Sequence, residues 1–177
     1  MKQQGSASAR NRRDGFTLIE TLVYLALLAI FIGGAVVATY SIIEAAGHNQ
    51  TRAMMQEEGD FLIAKINWAL SGAQTVTSPP FDAVTPSQSG LLSVSKYGGA
   101  NVTVTISGSD MQYHDVGGTN TLNNSNVQVS SLLFTHTASS GDGVDPESVK
   151  ATFIVSAKTP AGAVLTQNFS TVDYLRR

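Results

Sequence analysis

Hydrophobic positions run almost unbroken near the start of the chain, then settle into two different periods. From Thr21 to Ile43 there is no Asp, Glu, Lys or Arg, and roughly 20 helical residues suffice to cross a hydrocarbon core about 30 Å thick. This predicts a membrane-spanning helix over residues 16–43. Between Asn49 and Ala73 the apolar residues Phe61, Leu62, Ile66, Ala69, Leu70 and Ala73 recur at spacings of three and four, while Glu57, Glu58, Asp60 and Lys65 fall on other faces. The pattern predicts an amphipathic continuation over 44–73, whose apolar stripe needs a partner in the second half of the chain. Bends are expected at Gly33-Gly34 and at Gly47-His48-Asn49, because each glycine lowers helix propensity by about 1 kcal/mol. Two pairs of small residues four apart, Ala29 with Gly33 and Gly34 with Ala38, would permit close helix approach.

Residues 74–90 contain Pro79-Pro80, Pro86 and many Ser and Thr, without helical period, and are expected to form an irregular linker. From Leu91 onward the period becomes two. Val102, Val104 and Ile106 alternate with threonines, Val127 and Val129 lead into Leu132-Leu133-Phe134, and Val149, Ala151, Phe153 and Val155 alternate again. Val164 to Val172 is predicted as a last strand, with turns at Ser107-Gly108-Ser109-Asp110 and Pro160-Ala161-Gly162. The expected fold class is α+β. A long N-terminal helix would pack its second half, around Phe61 to Leu70, against an antiparallel sheet of five or six strands over 91–177.

Charge adds an orientation. Charged residues make up 14% of the chain, against roughly 25% in an average soluble domain. Residues 1–15 hold Lys2, Arg10, Arg12 and Arg13 against Asp14, whereas the remainder has seven basic and twelve acidic residues. A basic segment before an apolar span stays in the cytoplasm. The expected location is therefore the inner (cytoplasmic) membrane, crossed once, with the C-terminal domain outside. The acidic balance of that domain argues against phosphate-backbone binding. There is no cysteine, which excludes disulfides and thiolate metal sites.

An ordinary cleavable signal has an apolar region of only about 7–15 residues, and Ala45-Ala46-Gly47 is a poor match for its cleavage site. A plain signal anchor accounts for the basic flank and the length, but not for Glu20. A carboxylate in an apolar span costs on the order of 2–3 kcal/mol when central, less in a first helical turn, where the dipole favours an anion.

Gly15-Phe16-Thr17-Leu18-Ile19-Glu20 resembles the processing and methylation motif of type IV prepilins and type II secretion pseudopilins. The resemblance implies a pilin-like fold and a basic leader over 1–15 that a prepilin peptidase/methyltransferase removes. Cleavage would follow Gly15, and Phe16 would be N-methylated. It further implies that Glu20 compensates the amino terminus of a neighbouring subunit during assembly, a buried ion pair whose value lies in register more than in net stability. The implied partners are other pilins or pseudopilins in a helical filament, an inner-membrane assembly platform and membrane lipid. Asp14 departs from the basic residue common before the glycine, and no Pro interrupts the helix. Glu20 separates the chain from a tip pseudopilin class that lacks it. The helix over Met54 to Ala73, the phrase Val127-Gln128-Val129-Ser130-Ser131-Leu132-Leu133-Phe134 and the Leu175-Arg176 close are similar to minor pseudopilin J and pilin W type proteins.

His48, His114 and His136 are isolated in sequence and expected on the surface or in loops, since they make no metal-ligand spacing. Asp142, Asp145 and Glu147 gather in the segment 141–147. Oxygen-rich loops can hold calcium, but a solvated turn is the preferred reading. No catalytic constellation, cofactor site or metal site is expected. The leading expectation is a structural filament subunit of a pilus, secretion or competence system. The alternatives are a membrane-anchored binding module (an adhesin or DNA-uptake pilin) and a signal-anchored enzyme.

Overall fold

The computed structural model describes residues 16–82, 85–139 and 146–175. The chain divides into two units, Met1–Ile43 and Glu44–Arg177, and helix α1 (Leu18–Leu70) contributes to both.

In the first unit, α1 is apolar on every face. From Thr21 onward its side chains are exposed, and the helix is long and apolar enough to cross a membrane. Two of its hydroxyls turn back onto the helix, Thr39 Oγ1 donating to the Ala35 carbonyl at 2.9 Å and Ser41 Oγ to the Val37 carbonyl at 3.1 Å. Neither of these two groups therefore has to find a partner in lipid. The helix is continuous through Gly33-Gly34 and Gly47. A glycine lowers propensity without removing a hydrogen bond, and that alone does not end a helix.

In the second unit, the rest of α1 packs on two antiparallel sheets. The strands are β1 (Ala73–Ser78), β2 (Ser87–Ser89), β3 (Leu92–Lys96), β4 (Asn101–Ser107), β5 (Asp110–Asp115), β6 (Gly118–Thr121), β7 (Val127–Thr137), β8 (Ser148–Lys158) and β9 (Val164–Tyr174). One sheet has the order β1-β3-β4-β5-β6 and the other β2-β7-β8-β9. In β8 the residues Val149, Ala151, Phe153, Val155 and Ala157 are buried while their neighbours are not, the alternation of a strand with one face on a core. Both expected turns form, with Ser107 facing Asp110 across the β4–β5 hairpin and the β8–β9 connection closed by hydrogen bonds between Thr159 and Ala163.

Four expectations are corrected. The helix ends at Leu70, not Ala73, because Gly72 adopts φ 74 and stops it. The segment 74–90, expected as a linker, holds most of β1 and all of β2. Val76 is the one buried apolar residue in β1, too little for a period to show. There are nine strands in two sheets among the described residues, not five or six in one. Phe61, placed on the buried stripe, is 42% exposed, under Lys65 at 5.4 Å from its ring centroid. The buried stripe is Thr51, Met55, Gly59, Leu62, Ile66, Ala69 and Leu70.

This stripe meets both sheets in one core, which includes Leu92, Val94 and Val104 from one and Phe134, Phe153 and Phe169 from the other. At Gly59 the contact leaves no room for a side chain. A Cβ there would lie 2.2 Å from the Phe169 ring, which stacks on Phe153 at 5.5 Å. Polar joints flank it, with Asn67 Oδ1 accepting from Thr171 Oγ1 at 3.1 Å and Gln56 bonded to Gln167. Glu58 accepts from the Asn124 backbone N–H at 2.7 Å and its side-chain amide at 2.9 Å, fixing the loop before β7.

Candidate functional site

The site expected from sequence begins where the chain enters α1. Thr17 stands just before the first helical residue, and its Oγ1 lies 3.4 Å from the backbone nitrogen of Glu20, with its carbonyl 3.1 Å from the same nitrogen. Thr-x-x-Glu ahead of an apolar run is a capping-box sequence, so Thr17 defines the first turn. Glu20 is the acidic residue of that turn, a position the helix dipole favours for an anion. Its carboxylate does not reach back to Thr17. Instead Oε1 accepts from the Tyr24 hydroxyl at 3.2 Å. The Tyr24 ring in turn stands edge-on to Phe16, with centroids 6.1 Å apart.

Phe16 is 72% exposed and precedes the helix. Gly15, the expected cleavage position, lies outside the described residues, as does the rest of the leader. Phe16 and Glu20 are thus brought together through Tyr24, which the sequence reading passed over. The available signal was the spacing of four between Glu20 and Tyr24, which places two side chains together on a helix face.

The three histidines separate in character. His114 is exposed and its Nδ1 lies 2.6 Å from Thr119 Oγ1, and His48 is half-buried. His136 contradicts the expected surface or loop placement. It is buried in β7, with Nε2 2.9 Å from Glu147 Oε1 and Nδ1 3.1 Å from the Pro79 carbonyl. The reason is a bulge. Val127 and Val129 face inward, the register slips between Ser130 and Leu133, and Ser131 adopts φ 55. After that extra residue the inward set becomes Leu132, Phe134 and His136. Glu147, counted among three carboxylates of a solvated turn, is likewise buried. The other two, Asp142 and Asp145, lie outside the described residues. Among the described residues no three His, Cys, Asp or Glu side chains converge as a metal site would need.

Near the end of α1, Lys96 Nζ sits 4.0 Å from the Trp68 ring centroid and donates to the Trp68 carbonyl at 3.0 Å. Burial lowers the pKa of that ammonium below its ordinary value. Tyr113, against Trp68 at 5.6 Å, has its phenol pushed up, first by burial and then by Asp115. These contacts join the end of α1 to the neighbouring sheet.

The family profile described as the prokaryotic N-terminal methylation motif matches residues 10–36, a short part of the chain that includes Phe16, Glu20 and Tyr24. No curated protein and no solved structure matches the chain. With that methylation motif at the head of one long apolar-to-amphipathic helix, and antiparallel sheets following it, the chain has a pilin-like layout and resembles type IV pilins.

Proposed function

We propose that the chain is a minor pilin or pseudopilin, a structural subunit that joins a type IV pilus or type II secretion-type filament through its N-terminal helix. In this reading a prepilin peptidase cuts after Gly15 and methylates Phe16, and Glu20 meets the amino terminus of a neighbouring subunit. Before assembly the helix anchors the subunit in the inner membrane, with its basic leader in the cytoplasm and its sheets outside.

The observation that carries the proposal is a first-turn carboxylate at the head of a helix apolar on every face. A lone anchor gains only the small first-turn dipole interaction from Glu20, against the cost of a charged group in lipid. A filament gives it a use, because a buried charge with one correct partner discriminates against every other register. Hydroxyls that turn back onto their own helix leave the remaining surface for lipid or for neighbouring helices.

Replacing Glu20 with Leu is the test. Expressed with the peptidase and the other filament subunits, the variant is expected to be cleaved and membrane-inserted normally. Its recovery in sheared filaments is expected to fall at least several-fold. Incorporation at the level of the unsubstituted chain would remove the assembly role assigned to this carboxylate.

A further inference from the structure

We propose that Tyr24 is a positioning residue for assembly, holding one oxygen of Glu20 so that the other is presented to the incoming amino terminus. The inference rests on the reading of Glu20 as the assembly carboxylate.

Glu20 and Tyr24 lie four apart on α1, the spacing that brings side chains together on one helical face, and Phe16 stands just before that helix. Tyr24 joins the other two, with its hydroxyl 3.2 Å from Glu20 Oε1 and its ring edge-on to Phe16. The side chain is 54% exposed, so a packed core does not dictate its orientation. The other hydroxyls nearby are committed elsewhere. Thr21 Oγ1 donates to the Leu18 carbonyl at 2.8 Å, and Thr17 Oγ1 faces the Glu20 backbone nitrogen. Among the described residues, Tyr24 is therefore the side-chain donor to this carboxylate.

Lipid supplies no hydrogen bonds, so a carboxylate there takes whatever donor its own helix offers. A phenol one turn along provides that donor without a second charge. It covers Oε1, restricts the rotation of a flexible side chain, and leaves Oε2 for another partner on the stripe that Glu20 and Tyr24 share. A cationic amino terminus approaching that stripe finds an acceptor already oriented, with less side-chain freedom left to lose on pairing. The ring contact to Phe16 keeps the first residue of the mature chain beside the carboxylate that its neighbour would use.

The test is Tyr24→Phe in the full chain, which retains the ring and removes only the hydroxyl. Two quantities are measured in membranes of cells carrying the peptidase and the filament subunits. One is labelling of Glu20 by dicyclohexylcarbodiimide, read by mass spectrometry of the N-terminal peptide. The other is incorporation into sheared filaments per cleaved chain. The proposal expects labelling to rise and incorporation to fall, each several-fold, because Oε1 is uncovered and the carboxylate is no longer oriented. If neither changes while Glu20→Leu still prevents incorporation, the role of Tyr24 is refuted and the role of Glu20 stands. A fall in incorporation with unchanged labelling would assign Tyr24 to helix packing and overturn the proposal. Raised labelling with unchanged incorporation would overturn it too, since positioning would then not matter to assembly. Normal incorporation of Glu20→Leu would instead remove the reading on which the inference rests.

Discussion

Inside the second unit, His136 and Glu147 are 2% and 7% exposed and meet at 2.9 Å, with the Phe81 ring T-shaped to the imidazole at 5.9 Å between centroids. Both imidazole nitrogens have partners, so desolvation is compensated only while every member is present. His136→Ala or Glu147→Ala is therefore expected to lower unfolding free energy by about 1–3 kcal/mol, since each strands a buried polar group. The double substitution should cost clearly less than the sum of the two. Denaturant unfolding of the detergent-solubilised protein measures all three, and additive costs would show that the pair does not act as a unit. Part of this was legible in the sequence, because inward residues change from odd numbers at Val127 and Val129 to even ones at Leu132 and Phe134. Read as a bulge at Ser130-Ser131, that change of parity places His136 inside. What no local pattern supplied was Glu147 as its partner, since the two meet across the β7–β8 pair.

At the scale of elements, α1 was readable because its two signals are long. Twenty-three residues without charge, from Thr21 to Ile43, and a stripe at spacings of three and four both average over single exceptions. Phe61 was such an exception, an aromatic one position from the stripe that covers its surface with Lys65 instead. The long strands β7, β8 and β9 were legible for the same reason, and the short ones were not. Strand β2 is Ser-Gln-Ser and β6 is Gly-Thr-Asn-Thr, neither with an apolar residue. They are strands because a neighbouring ladder accepts them, a tertiary cause that leaves no local trace. Gly59 hides another tertiary fact, the ring of Phe169 in the place of a side chain. Gly59→Ala gains up to about 1 kcal/mol of helix propensity, but must displace a stacked ring at a cost of about 1–3 kcal/mol. Net destabilisation is expected in the parent and stabilisation in a Phe169→Ala background, where the ring is gone. Calorimetric or denaturant unfolding of the four proteins decides it, and the same sign in both backgrounds would refute the contact.

At the scale of the whole molecule, the chain combines a helix segment apolar on all sides with a second unit that has its own core of helix and two sheets. This matches a subunit whose one part enters lipid or a bundle of like helices while the other folds independently of that environment. The proposed orientation rests on the acidic balance after residue 15 and the basic run before it, and the methylation motif over residues 10–36 lies across their junction. The candidate site was legible to the extent that it is a linear motif. Gly15, Phe16 and Glu20 are close in sequence, and their proposed roles follow from order along the chain. The contribution of Tyr24 needed side-chain geometry, since the spacing alone allows the contact without requiring it.

The central claim, a filament subunit matured at the Gly15–Phe16 bond, is tested most directly by intact-mass and N-terminal peptide mass spectrometry. The full chain would be expressed with a prepilin peptidase. The account predicts a mature chain that begins at Phe16 with one added methyl group on its amino nitrogen. A chain that keeps residues 1–15 when the peptidase is active on a known substrate in the same cells would contradict it.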